Sequence, residues 1–360
     1  MNRRFFLRIR TQFDNMGDAL INRELVSLLS EYGEVTQDLS AVPPHFMTWL
    51  KSPAFDAATR ADGPAFWRAL LWTAMKRKGS STECWFILNP GGYLGEISLM
   101  TYAKRQLGVF VVQLLKLLNI RVAVLGVSYE TLGPLNLRQL RSRAEAIDVH
   151  FVRDSQTATY CGRSDIRVDG IIPDLAFNLP ILPSSATPEY LVISMRGENA
   201  ERLVPFLVPL LDTSKRIKLC SQVLRDVPLQ HELFKALQHR GFDVEFVPVP
   251  STIEEAIKTY HGAESVISNR LHVLLLAISA GAKPIPLLEK DRNNKIRGIF
   301  ADLGCQWLLS NGIESAPQQY DQDDDSLQEE ALLKSIQEGF ARKAKELRSA
   351  VKTLFGGSLK

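Results

Sequence analysis

The stretch "SVISNRLHVLLLAISAGAKPIPL", residues 265–287, reads as strand, helix and strand in succession. Ser265 to Ser268 has the short apolar character of a buried strand. Leu271 to Ser279 is apolar at nearly every position, as a helix enclosed by other elements must be. The "KPIPLL" run opens the next strand. An arginine and a histidine, Arg270 and His272, stand at the mouth of this almost wholly apolar run, at the junction between the first strand and the helix. A fixed cation and a titratable ring at such a place raise the question of which ligand needs them.

The same alternation runs outward in both directions. Upstream, "FFLRI" leads into "GDALINRELVSLLSEYG", where Leu20, Ile21, Leu25, Leu28 and Leu29 fall on one helical stripe. "CWFILNPGG", "KRQLGVFVVQLLKLLN", "RVAVLGVS", "VHFVRD" and "SQTATYCG" continue the series. "YLVISMRG", "RIKLCS", "DVEFVPV" and "SVISNR", with helical runs between them, repeat it in the second half. Continuous apolar strands separated by helices imply parallel sheets covered on both faces, an α/β fold class. "LPILPSSATPE", residues 179–189, breaks every periodicity with Pro and Ser and reads as a linker. We therefore expect an N-terminal α/β domain over 1–180, a linker over 181–189 and a C-terminal α/β domain over 190–325. A terminal helix and tail should fill 326–360, after the acidic "QQYDQDDDSLQEE" and ending in a fraying "GGSLK". Ligands of open α/β sheets bind at the carboxyl ends of the strands, which places a site in a cleft between two such domains.

Bulk properties exclude several classes. The 360 residues are 45% hydrophobic and 23% charged, ordinary globular values. Lys and Arg number 43 against 40 Asp and Glu, a net charge of +3, which gives no whole-chain field for nucleic acid. Cys84, Cys161, Cys220 and Cys305 lie far apart with no C-x-x-C spacing, the pattern of reduced core cysteines in a cytosolic protein. No metal site is expected, since the histidines show neither H-x-x-H nor H-E-x-x-H spacing. "MNRRFFLRIRTQFDN" is interrupted by arginines and reads as a strand, not a targeting segment. The longest apolar run, "VLLLAIS", is about a third of a membrane span.

Several junctions could carry chemistry. In "FDNMGDALIN", Asn15 and Gly17 make a small turn that opens a helix and exposes backbone N–H groups beside Asp18. Asp18 is also a natural helix cap, a role worth about 1 kcal/mol. "LNPGGYLGE" is a second glycine turn at a strand end, but it lacks the G-x-G-x-x-G pattern of a dinucleotide site. Arg153 in "VRDSQTA", Arg196 in "ISMRG" and Arg270 in "SNRLH" all leave strands at their carboxyl ends. Guanidinium forks beside helix N-termini suit a phosphate or carboxylate. An ordinary Arg–Asp surface pair is the plain alternative for Arg153, and a hydrogen-bonded core residue is the plain alternative for His272.

"FDNMGDALIN", "NPGGYLGE", "VRDSQTA", "VDGIIPDLAFNL" and "SNRLHVLLLAISAGAKPIPL", followed by Lys295, occur in the order seen in the polysaccharide pyruvyl transferases, which this chain resembles from about residue 13 to 303. The resemblance implies two Rossmann-like domains of GT-B-like glycosyltransferase architecture, with the last helix packed back on the N-terminal domain. It also implies transfer of the enolpyruvyl unit of phosphoenolpyruvate onto a sugar diol of an exopolysaccharide or other cell-surface glycan, giving a pyruvate ketal and phosphate. Phosphoenolpyruvate is then a co-substrate, and no cofactor is expected. On that basis Arg153, Arg270 and His272 form the donor site, with Asn269, Arg196 and Lys295 beside them. Asn15, Gly17, Gly91 and Gly92 fall to the acceptor, and Asp18 orients or deprotonates its hydroxyl. A donor with a phosphate and a carboxylate needs arginines at more than one point. Its enol carbon must accept a proton, for which a histidine is suited. The chain departs from the family in having Pro90-Gly91-Gly92 where three glycines are usual, and His272-Val273 where His-Gly is frequent.

Two other readings use the same residues. One is a GT-B glycosyltransferase with a nucleotide-sugar donor; the other is a non-catalytic glycan- or anion-binding protein of the same fold. The expected partners are phosphoenolpyruvate and a saccharide acceptor, not nucleic acid. The expected location is the cytoplasm, at the inner membrane face if the acceptor is lipid-linked, where basic segments such as "KRKG" help.

Overall fold

The computed structural model describes residues 2–76, 82–185, 187–288, 294–310 and 326–357. Of "KRKG" only Lys76 lies among them, as do only the last residues of "QQYDQDDDSLQEE" and the first two of "GGSLK". Two compact units divide the chain. The first comprises Met1–Phe13, Asp18–Leu175 and Glu346–Lys360; the second comprises Asp14–Gly17 and Ala176–Lys345. The four residues Asp14–Gly17 thus belong with the second unit although they precede nearly all of the first.

In the first unit the strands are β1 (Arg3–Arg8), β2 (Glu34–Asp38), β3 (Thr59–Arg60), β4 (Glu83–Leu88), β5 (Gly91–Gly95), β6 (Arg121–Leu132), β7 (Val149–Val152) and β8 (Gly170–Ile171). Its helices are α1 (Met16–Ser30), α2 (Pro44–Leu50), α3 (Pro53–Ala57), α4 (Pro64–Lys76), α5 (Leu99–Leu117), α6 (Pro134–Ala146) and α7 (Ser155–Arg163). The sheet is parallel throughout in the order β3-β2-β1-β4-β6-β7-β8, with β5 also on β6. Residues of the central strands β1, β4 and β6 are buried on both faces, which is why the sequence there runs apolar without alternation. Phe6 and Phe86 face Phe66, Val112 and Leu140 of the covering helices in one cluster. On the other face Phe5 and Trp85 meet the ring of Phe355 edge-on, at 5.0 and 5.1 Å. "NPGGYLGE" is not the turn expected from its glycines. Gly91–Gly95 pairs with Val127, Ser128, Tyr129 and Leu132 as a strand, and Glu96 accepts from the Leu135 and Asn136 amides at the start of α6.

In the second unit the strands are β9 (Tyr190–Ser194), β10 (Arg216–Leu219), β11 (Val244–Phe246), β12 (Ala263–Ser268) and β13 (Lys283–Pro286). The helices are α8 (Ala200–Leu207), α9 (Val227–Gln238), α10 (Ile253–His261), α11 (Leu271–Ser279), α12 (Asn294–Leu303) and α13 (Ser326–Phe355), the last contributing its final turns to the first unit. The parallel order β11-β10-β9-β12-β13 is a doubly wound sheet whose direction of winding reverses between β9 and β12. Every residue of α11 is buried except His272, which is half-buried. Each fully buried Leu or Ile there contributes on the order of 1.5–3 kcal/mol relative to exposure.

Candidate functional site

The reversal point of the second sheet is where two strand ends present polar groups side by side. Ser268 ends β12 opposite Ser194 of β9; its hydroxyl donates to the Ser194 carbonyl at 2.5 Å and accepts from the Arg270 amide at 3.0 Å. Asn269 is buried, and its carboxamide accepts from the Arg196 N–H and donates to the Arg196 carbonyl, both at 2.8 Å. Expected to face a ligand, Asn269 instead clamps the backbone that carries exposed Arg196. Arg270 donates from Nε and Nη2 to the two Asp226 oxygens, each at 2.6 Å, a bidentate pair that fixes the guanidinium plane. The remaining Nη1 edge is the part of the fork those bonds leave open to an anion. Burial pushes the Asp226 carboxyl up, while Arg270, Arg225 and Arg196 pull it back down. Three guanidinium groups against two carboxylates, Asp226 and Asp14, leave this strand end with a net positive charge.

His272 stands in the first turn of α11, two residues after Arg270. Gly17 lies against it: a Cβ built on Gly17 would fall 2.8 Å from His272 Cγ and 2.9 Å from His272 Cβ, and closer still to Nδ1. Only a residue without a side chain lets the imidazole occupy this position. The segment that brings Gly17 there is tied to the second unit by backbone bonds. Met16 N–H donates to the Gln222 carbonyl and Leu224 N–H to the Asp14 carbonyl, both at 2.9 Å, and Arg225 pairs with Asp14 at 3.2 Å. Asn15 accepts from the Gly17 amide at 3.0 Å. A fixed guanidinium edge and a histidine at a helix N-terminus can hold an anion and deliver a proton to it.

The other expected site residues belong to the first unit or lie further along the second. Asp18 does not cap α1, because the helix already begins at Met16 and Asn15 supplies the capping oxygen. Its carboxylate reaches backward, accepting from the Thr11 hydroxyl and from the Gln12 amide at 3.2 Å. Arg153 is not a surface residue. It is 4% exposed and donates to Asp174 at 2.9 Å and to the Ser128 hydroxyl at 2.8 Å, with Asp154 3.8 Å from Nε. Asp154 meanwhile caps α7 through the Thr157 amide at 2.6 Å. Gly91 and Gly92 stand on β5 opposite Val127 and Ser128, beside this buried network. Lys295 is half-buried in the first turn of α12. Within the second unit the structure thus gathers Asn15, Gly17, Arg196, Asn269, Arg270 and His272. Sequence reasoning missed Asp226 and Asp14, the carboxylates that pair with Arg270 and Arg225. The only hint was "VLRDVP", an Arg-Asp step like the "VRDS" around Arg153.

Solved structures with both units of this fold cover nearly the whole chain. The UDP-GlcNAc 2-epimerase of Neisseria meningitidis bound to UDP-GlcNAc is 11% identical with a TM-score of 0.53, covering 99% of this chain and 100% of its own. The UDP-GlcNAc 2-epimerase of Methanocaldococcus jannaschii is 13% identical with a TM-score of 0.51 over the same shares. A putative UDP-N-acetylglucosamine 2-epimerase of Listeria monocytogenes is 11% identical with a TM-score of 0.51, covering 100% of this chain and 98% of its own. At such identities the likeness is one of fold, the α/β architecture of the GT-B type. Among curated proteins none matches the chain in sequence. The family model for polysaccharide pyruvyl transferase matches residues 15–291, from the Asn15 turn through β12, Arg270, His272 and β13. The chain therefore belongs to the polysaccharide pyruvyl transferase family.

Proposed function

We propose that the protein transfers the enolpyruvyl unit of phosphoenolpyruvate to a sugar diol of a cell-surface glycan, forming a pyruvate ketal and releasing phosphate. The observation that carries this reading is the pairing, at the reversal point of the second sheet, of an Asp226-locked Arg270 with His272 seated on Gly17. Arg270 and Arg196 hold the anionic groups of the donor. His272 delivers a proton to the methylene carbon, which leaves C2 electron-poor and stabilised by its own oxygen. One acceptor hydroxyl adds to C2 and loses its proton. The neighbouring hydroxyl then displaces phosphate and closes the ketal, so one proton is taken up at carbon and two leave the hydroxyls. Asp18, held by Thr11 and the Gln12 amide, serves as the base for an acceptor hydroxyl. Arg153 is not assigned to the donor in this reading, because its Nη1 and Nη2 already donate to Asp174 and Ser128. Phosphoenolpyruvate is the only co-substrate. It is a cytoplasmic metabolite, so the reaction belongs in that compartment.

Phosphate release from phosphoenolpyruvate over a panel of glycans tests the reaction, and thermal shift tests the donor. A ligand present at 100 times its Kd stabilises the folded protein by about 2.7 kcal/mol. Phosphoenolpyruvate should raise Tm and UDP or GDP should not. The reverse pattern would replace this reading with a nucleotide-sugar enzyme on the same fold. Stabilisation by phosphoenolpyruvate without phosphate release on any glycan would point to a binding protein.

A further inference from the structure

Two helices of the first unit carry apolar side chains on both faces. Phe66 and Leu70 of α4 and Val109, Val112 and Leu115 of α5 enter one buried cluster against the sheet, so both helices cover the same face of it. Their outer faces point away from that sheet and are not polar. On α5, Met100, Ala103, Leu107, Phe110, Leu114 and Leu117 are all exposed and recur every three and four residues, one continuous stripe. On α4, Leu71, Trp72 and Met75 are exposed between Arg68 and Lys76, and the Lys76 ammonium lies 3.8 Å over the Trp72 ring. Nine of the thirteen large exposed hydrophobics among the described residues fall on these two helices, too concentrated to be the usual scatter.

Charge decides what covers this face. The two helices carry Arg68, Lys76, Lys104, Arg105 and Lys116 and not one Asp or Glu. Arg105 donates to Asn136 at 3.1 Å, and Lys116 pairs with Asp148 at 3.3 Å. Arg68, Lys76 and Lys104 are exposed beside the apolar stripe. A second copy meeting this seam would set like charges against each other, with no acid on either helix to pair them. An anionic lipid surface fits both parts. Leu, Phe and Met enter the acyl boundary, Trp72 sits at headgroup level, and the lysines reach the phosphates over their own stems. None of the described helices is long and apolar enough to cross a membrane, so the fit is to lying on a bilayer.

We propose that the outer faces of α4 and α5 form a docking surface for an anionic lipid bilayer. This inference does not depend on the pyruvyl-transfer reading and would outlive its failure. The test is cosedimentation of the full chain with phosphatidylcholine vesicles, with and without phosphatidylglycerol, alongside gel filtration without lipid. The chain should pellet with the anionic vesicles and much less with the neutral ones, and added salt should release it. Removing the three exposed charges in Arg68→Gln/Lys76→Gln/Lys104→Gln should weaken anionic binding by about 10²-fold, at about 1 kcal/mol per charge. Phe110→Ser/Leu114→Ser/Leu117→Ser should abolish it, while both variants still melt cooperatively with only a small loss of Tm, because none of the changed side chains belongs to the buried core. No pelleting of the wild-type chain with anionic vesicles would overturn the proposal. So would a stable dimer that the apolar triple variant dissolves, which would give the face to a second copy.

Discussion

Gly17→Ala is the most discriminating change, because its effects on stability and on turnover are expected to diverge. The new methyl would meet the root of the His272 side chain at 2.8 Å from Cγ and 2.9 Å from Cβ, where carbon atoms normally rest about 3.5–4.0 Å apart. The atoms met belong to the ring's anchor and not to a flexible tip, so the whole imidazole must move by about 0.7 Å or more. Overpacking of this kind costs about 1–3 kcal/mol. Alanine returns up to about 1 kcal/mol, since Gly17 lies in the first turn of α1 and alanine is the better helix former. The net loss of stability is therefore about 0–3 kcal/mol, and the variant should fold. Turnover should suffer more: a catalytic group displaced by about 1 Å costs on the order of 10²-fold. Phosphate release and thermal melting on one preparation give kcat, KM and Tm together. His272→Ala alone should lower kcat by about 10²–10⁴-fold. In the His272→Ala background, adding Gly17→Ala should cost no further activity and less stability than in the wild type, because the contacts with the ring are gone and only the one at 2.9 Å from Cβ remains. Wild-type kcat in the Gly17→Ala protein would refute both the geometry and the role of His272.

Three further outcomes follow from the ion pairs and the buried histidine. Arg270→Ala should weaken phosphoenolpyruvate binding by about 2–5 kcal/mol and also lower Tm, since Asp226 is left half-buried without its counter-charge. Arg270→Ala/Asp226→Ala should recover Tm but not affinity, and unchanged affinity by calorimetry in either variant would remove Arg270 from the donor site. Arg153→Ala should destabilise by about 3–5 kcal/mol, leaving the Asp174 and Asp154 carboxylates buried without the guanidinium charge, so a wild-type melting temperature would contradict the buried network. Burial holds the His150 imidazole down at about 4, well below its ordinary value, with Tyr129 and the Arg167 carbonyl on its two nitrogens. The unfolded chain thus binds the extra proton between about pH 6.5 and 4. Stability is full above that window and falls through it as pH drops, by up to about 1.4 kcal/mol per pH unit. His150→Asn should flatten this part of the Tm–pH curve, and an unaltered curve would rule His150 out as its cause.

What the sequence determined by itself was local. Unbroken apolar strands alternating with helices required sheets buried on both faces, and both sheets are parallel. The helix over Leu271–Ser279 was legible to the residue, because nothing but enclosure explains so long an apolar run. The strand-end positions of Arg196 and Arg270 followed from the same pattern, since a strand's end is set by its own residues and the turn after it. Partner identity was not local, and only the tertiary structure decided it. "NPGGYLGE" became a strand because β6 offers Val127 to Leu132 as an edge to pair with, which no count of glycines reveals. Asp18 yielded the helix cap to Asn15 because the first turn starts two residues earlier, where Met16 is held by the Gln222 carbonyl. Arg153 and Arg270 look alike in sequence, each an arginine leaving a strand. One is enclosed with Asp174 and Ser128 and the other is locked by Asp226, 44 residues away, with an edge left over. Nor could spacing show that Gly17 must lack a side chain for the sake of His272, since that requirement arises only when folding brings the two ends of the family's matched region into van der Waals contact. Periodicity reports how deeply a residue is buried; which atoms meet there is set by long-range shape and charge complementarity.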